Sequence, residues 1–151
     1  MRFKWSKKIS VGDVTIDKQH KRLLDEILVL SLLLERGQSG NHIEETLGFL
    51  DRYISGHFTY EEGYMETHHY PLLDAHKEMH RQFAVEYEAM KREFAMGDTL
   101  AFQEKVNHFL GQWWVNHISH ADQNYHEYID AHPTSHPEGE PERYHDTIQK
   151  A

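Results

Sequence analysis

The chain has 151 residues, with 16 Lys and Arg against 25 Asp and Glu, fourteen His and no Cys. A net charge of −9 argues against nucleic-acid or anionic-membrane partners, and apolar runs such as Ile27 to Leu30 are far too short to span a bilayer. Without cysteine there is no disulfide framework and no thiolate site, so any metal must be held by nitrogen and oxygen.

The N-terminus, MRFKWSKKIS, is basic but lacks the apolar run of a signal peptide, and a cytoplasmic protein is expected. Four segments then place apolar residues or histidine at steps of three and four, the helical period. The first reads His20, Leu23, Ile27, Leu30, Leu34, and the turn signal RGQSGN (36–41) follows it. The second reads Ile43, Leu47, Leu50, Ile54, His57, Glu61 and ends at HHYP (68–71), where His68 and His69 are placed to cap helix ends. The third reads Leu73, His76, His80, Phe83, Tyr87, Met90, Phe94 and stops at MGDT (96–99). The fourth reads Phe102, Val106, Leu110, Trp113, His117 and continues toward Tyr125 and Tyr128. After about residue 131, AHPTSHPEGEPERYHDTIQKA holds three of the four prolines and reads as an irregular extension, a linker or docking segment. The expectation is an all-α, up-down-up-down four-helix bundle over 1–131 with an N-terminal arm, and an irregular C-terminal tail over 132–151.

The ligand spacing tests that layout. If four antiparallel helices meet one site at a common level, each turn must lie midway between neighbouring ligand positions. The point midway between His20 and His57 falls inside 36–41. Midway between His57/Glu61 and His76/His80 lies the His68–His69 turn, and midway between His76/His80 and His117/Asp122 lies 96–99. All three coincide with turn signals read independently, so one shared internal site follows.

The candidate metal ligands are therefore His20, His57, Glu61, His76, His80, His117 and Asp122. Any one of these histidines alone would carry little weight in so histidine-rich a chain. Seven residues at one level are a different matter. Each carboxylate has two oxygens and can bridge two metal ions. With both bridging and one solvent-derived oxygen shared, a metal with three histidines reaches six ligands. A metal with two histidines reaches five, leaving a position open to a small molecule. Mixed imidazole and carboxylate ligation suits iron. One spacing resists: His117 and Asp122 are five apart, about 140° on an ideal helix, so Asp122 needs a local distortion such as a π turn to point inward. His42, His108, His120, His126, His132, His136 and His145 are expected at the surface, and Glu44, Glu45, Glu78, Glu86 and Glu88 on a solvated face.

With these residues in place, the sequence resembles the hemerythrin family in its bacterial single-domain form. The pattern is a lone His20, then His57-Phe58-Thr59-Tyr60-Glu61, His76-Lys77-Glu78-Met79-His80 and His117-Ile118-Ser119-His120-Ala121-Asp122. Val11-Gly12-Asp13, Ile16-Asp17, Gln19-His20, Glu61-Glu62 and Tyr70-Pro71 flank it as in the family, over about residues 5–130. The resemblance implies a monomeric oxygen-binding protein rather than an enzyme. It implies two non-haem iron ions (Fe2+/Fe3+) bridged by Glu61, Asp122 and an oxo or hydroxo group, binding dioxygen reversibly for transport, storage or sensing. It further implies that His76, His80 and His117 hold the saturated iron and that His20 and His57 hold the open one.

Family-like pocket positions fall on Leu23, Phe58, Trp113, Trp114 and Ile118. The chain departs at Trp114, where the family commonly has leucine. Two readings stand: Trp114 packs sideways against a neighbouring helix, or its ring and N–H shape the ligand pocket. The rival functional class is a di-iron redox enzyme, a peroxidase or nitric-oxide reducing protein using the same open iron. A ferritin-like oxidase is disfavoured because the Glu-x-x-His pair Glu66/His69 lies in a predicted turn. Structural zinc is disfavoured because seven ligands exceed its usual four.

Overall fold

The structure, a computed structural model, describes residues 4–38 and 40–133. The expected irregular tail beyond residue 133, with His136 and His145, lies outside the described residues. A 3-10 turn, Lys7–Ile9, leads into three long helices: α1 (Val14–Glu35), α2 (Gly40–Thr67) and α3 (Leu73–Ala95). The fourth rod is composite: α4 (Thr99–Lys105), a π turn (Val106–Leu110), α5 (Gly111–His117), a second π turn (Ile118–Asp122) and α6 (Gln123–Ala131). No strand occurs among the described residues, and the architecture is an all-α bundle of four rods. Short turns between consecutive rods make neighbours antiparallel.

The three turns are built alike. After α1, Gly37 at φ +62° donates to the Leu34 carbonyl (3.1 Å) and Gln38 to that of Leu33 (3.0 Å). After α3, Gly97 at φ +90° donates to Phe94 (3.0 Å) and Asp98 to Glu93 (2.9 Å). Both are Schellman closures, which satisfy carbonyls orphaned at a helix end and need a left-handed residue. After α2 the same pair of bonds runs from His69 to Glu66 (3.1 Å) and Tyr70 to Met65 (3.0 Å), with His69 at φ +56°. His69 thus ends α2 through its backbone rather than as a side-chain cap. The N-terminal arm is anchored as well. Asp13 accepts from Ile16 N (2.9 Å) as the cap of α1, Asp17 accepts from Val11 N (2.9 Å), and the Gln123 amide contacts the Ser10 carbonyl.

Inside, the expected rows face one another. His20 through Leu34 on α1 and Ile43 through Glu61 on α2 are all buried, as are His76 through Met90 on α3. Polar clamps fix the register: Tyr87 O–H and Lys91 Nζ both donate to Asp51 (2.8 and 3.0 Å), joining α2 to α3, and Ser31 bonds Asn107 (2.8 Å), joining α1 to the fourth rod.

The fourth rod solves a phase problem. Phe102, Val106, Leu110, Trp114, Ile118 and Asp122 are four apart, and every one is 0 % exposed. On an α-helix each step of four overshoots a full turn by about 40°, so five steps would carry the row roughly 200° around the rod. A π turn absorbs one extra residue, about 100° of rotation. Two of them cancel the drift and hold the whole row on the inward face. The expected distortion before Asp122 is the second of these. The first carries a correction: it brings Trp114 inward, whereas Trp113, placed in the inward row on sequence grounds, sits half-buried at the side.

Candidate metal centre

Seven side chains from all four rods meet at one level. His20 comes from α1, His57 and Glu61 from α2, His76 and His80 from α3, His117 from the end of α5 and Asp122 from the second π turn. Their exposures run from 0 to 6 %, so five imidazoles and two carboxylates are gathered out of water. Burying carboxylates without compensation is costly, and such groups are normally paired or bound to a cation.

The carboxylates divide their oxygens between two groups of histidines. Glu61 Oε2 lies 3.5 Å from both His20 Nε2 and His57 Nε2, while Oε1 lies 3.3 Å from His80 Nε2 and 3.7 Å from His76 Nε2. Asp122 repeats the pattern, with Oδ2 3.1 Å from His20 and Oδ1 3.1 and 3.2 Å from His76 and His117. Most of these approaches lack hydrogen-bond direction. His20, His57 and His76 Nε2, Glu61 Oε1 and both Asp122 oxygens have no hydrogen-bond partner. His80 Nε2 and His117 Nε2 face each other at 3.2 Å.

Two donors each about 2.1 Å from one ion and at right angles stand about 3.0 Å apart, close to the spacings seen. The orphaned atoms therefore fit cations far better than they fit one another. Two sets emerge: Glu61 with His76, His80 and His117, and Glu61 with Asp122, His20 and His57.

A layer of partners aims the candidate ligands. His57 Nδ1–H donates to Gln19 Oε1 (2.7 Å) and His80 Nδ1–H to Glu62 Oε2 (2.8 Å), which leaves each Nε2 lone pair turned inward. Tyr125 O–H donates to Glu61 Oε2 (3.0 Å). Sequence reasoning assigned no role to Gln19, Glu62 or Tyr125. Gln19 and Glu62 each adjoin a ligand in the chain, but which neighbouring rod they reach is a tertiary fact.

Electrostatics in the metal-free centre follow from the same geometry. Burial presses on His20 and His76, but Asp122 and Glu61 outweigh it and draw both up to about 9. His80 is likewise raised against its burial, by Glu61 and Glu62. His57, buried and farther from compensation, falls to about 3. Burial pushes both carboxylates up, yet the surrounding imidazoles hold Glu61 and Asp122 well below the usual carboxylate range. Protons on imidazole thus stand where cations would.

Aromatic rings wall the centre. Phe58 stacks on His80 (3.7 Å between ring centroids) and on Trp114 (5.4 Å), and Trp114 lies 5.7 Å from His57 with its indole N–H unpartnered. Leu23 and Ile118 are fully buried nearby in the same rows. Trp113 instead stacks on His117 (4.4 Å, 12°) beside a surface groove formed with Met79, Gln82 and His120. His42, His108, His120 and His132 are exposed as expected, as are Glu44, Glu45, Glu78, Glu86 and Glu88. His126 is not: it is 3 % exposed, packed against Tyr125 (4.2 Å) and Tyr64 (5.6 Å), because the π turns rotate its position on α6 toward the bundle.

Residues 11–129 match the family model described as the hemerythrin HHE cation binding domain. A bacteriohemerythrin of Stenotrophomonas maltophilia is 30 % identical over 131 residues, covering 85 % of this chain and 82 % of that protein. A bacteriohemerythrin of Pseudomonas paraeruginosa is 30 % identical over 123 residues, covering 80 % of this chain and 77 % of its own. A myohemerythrin of Theromyzon tessulatum is 29 % identical over 123 residues, covering 82 % and 90 %.

Proposed function

The chain belongs to the hemerythrin family, and from that premise we propose that it is a non-haem di-iron protein that binds dioxygen reversibly. The observation that carries this reading is the division of carboxylate oxygens. Glu61 and Asp122 each turn one oxygen toward His20 or His57 and the other toward His76, His80 or His117. His76, His80 and His117 with one oxygen of each carboxylate would offer five donors to one iron, and His20 and His57 with the remaining oxygens would offer four to a second. The two-histidine set is one donor short of the three-histidine set, so an iron held there would be the one with room for a small molecule. Bound iron in this ligand set supplies reversible redox chemistry toward dioxygen.

The protein's own tasks are orientation and exclusion. Gln19 and Glu62 hold His57 and His80 in the tautomer that presents Nε2 inward, and Tyr125 steadies Glu61. Leu23, Phe58, Trp114 and Ile118 keep water from the open side. No further acid or base is required. No helix among the described residues is long and apolar enough to cross a membrane. We place the protein in the cytoplasm as a monomeric oxygen carrier, store or sensor.

The test is the visible spectrum of iron-analysed, anaerobically reduced protein as air is admitted and then removed. Two irons per chain and a coloured adduct that fades on deoxygenation and returns with air are expected. Direct conversion to a stable ferric form would move the reading to redox catalysis. One zinc or no metal in the purified chain would defeat it.

A further inference from the structure

Five of the eight tyrosines collect at the end of the bundle nearest the α2–α3 turn, although sequence spreads them from residue 60 to residue 128. One series among them leads from the metal centre to the surface. Tyr125, fully buried on α6, donates its O–H to Glu61 Oε2 at 3.0 Å. Its ring centroid lies 6.1 Å from that of Tyr70, which hangs from the α2–α3 turn, and Tyr70 lies 5.5 Å from Tyr128. Tyr128 is half-buried and stacks on exposed His132 at 4.0 Å. The turn residue Tyr70 is wedged between two rings of α6, joining them into one row of near-touching phenols.

We propose that Tyr125, Tyr70 and Tyr128 form an electron relay between the Glu61 side of the centre and an organic one-electron donor at the surface. A phenol gives up an electron only to a strong oxidant and only as it sheds its proton. The row is therefore silent during reversible oxygen binding and conducts when hydrogen peroxide reaches the centre. The overall balance is H2O2 + 2 AH → 2 H2O + 2 A•, where AH is a donor of the phenol or ascorbate class. Each electron leaves AH at Tyr128 and passes through Tyr70 to Tyr125. Tyr125 meets the centre through its hydrogen bond to Glu61 Oε2. Each ring regains its proton as it is refilled, and the protons shed by AH at the surface replace in solvent those taken up as peroxide becomes water. The relay spares the groups that would otherwise be oxidised beside the centre, the indoles of Trp113 and Trp114 and the imidazoles they pack on. Neighbouring Tyr64 lies as near Tyr125 (6.2 Å) and is itself half-buried, with His68 (4.4 Å) and His126 behind it, so it is the rival terminus that the test must separate from Tyr128.

This inference rests on the iron centre proposed above, so iron content and the visible spectrum are recorded first. The iron-loaded protein is then treated with hydrogen peroxide in the presence of a nitroso spin trap. The adduct is located by peptide mass spectrometry, and frozen samples are read by electron paramagnetic resonance. Wild-type protein should carry the label on Tyr128. Tyr70→Phe should lose it there, with oxidation appearing instead on Tyr125 and the histidine ligands. Tyr128→Phe should move the label back to Tyr70, and Tyr64→Phe should keep the wild-type pattern. Label on Tyr128 that survives Tyr70→Phe, or that forms equally in metal-free protein, overturns the relay. So does label on Tyr64, or on Trp113, which stacks directly on His117 at 4.4 Å and is the competing exit. A chain that takes up no iron overturns the premise, whereas a loaded chain with no tyrosyl radical overturns the relay alone.

Discussion

Replacing Trp114 separates its two contributions, packing and an unpaired donor. The ring is fully buried and touches aromatic neighbours on several sides: Trp113 at 5.1 Å, Phe58 at 5.4 Å, Phe83 at 5.5 Å and His57 at 5.7 Å. Rigid neighbours of this kind collapse poorly into a void, and truncating a buried Trp to Ala costs about 3–5 kcal/mol. Leucine retains part of that volume, so Trp114→Leu should cost about 2–3 kcal/mol. Phenylalanine leaves a smaller void and also removes the buried indole N–H that has no partner. Burying such a group unsatisfied costs about 1–3 kcal/mol, so Trp114→Phe should come within about 1 kcal/mol of wild type. Guanidinium unfolding of metal-free protein reads both values, provided the slope with denaturant is unchanged. If Phe costs as much as Leu, the N–H makes a bond worth keeping and this reasoning fails. The iron-loaded protein answers the second question. If the ring closes the two-histidine side, Trp114→Leu quickens azide entry and autoxidation together. Unchanged rates would make Trp114 a packing residue alone.

Two further outcomes follow from the site. In metal-free protein His20 and His76 titrate near 9 rather than 6.5. Their stabilisation is fully present below pH 6.5 and lost as pH rises through 9, so the melting temperature of chelator-stripped protein should fall between pH 7 and 9. His57, held near 3, does not titrate in that window. Iron, which requires the neutral imidazoles, should flatten the profile and release protons as it binds at pH 7; an equally flat metal-free profile would contradict the assignment. Glu62→Gln keeps a hydrogen-bond acceptor for His80 Nδ1–H but removes the charge behind it. Its iron affinity, measured by chelator competition, should drop about 10- to 100-fold, with stability little changed.

The sequence by itself determined the rods, the turns and the identity of the seven converging side chains. Each of these rests on a local rule. Burial of one helical face writes a period of three and four into the chain, Gly37 and Gly97 supply left-handed closures, and side chains that converge at one level space the turns between them. The same rules flagged the spacing of His117 and Asp122 as one that a regular helix could not serve. The tertiary structure decided what depends on phase and on distant neighbours. Nothing local marks Val106–Leu110 as a π turn, yet that turn puts Trp114 in the core, leaves Trp113 at the side and, with the second, rotates His126 inward. A π turn is unfavourable in isolation and persists only where the inward contacts it creates outweigh its cost, and those contacts come from other rods. The oxygen of Glu61 that faces each histidine pair, the bond from Tyr125 and the wedge of Tyr70 between two rings of α6 are set in the same way. They join residues up to 64 positions apart, and a periodic pattern carries no information about which side chains meet across a bundle.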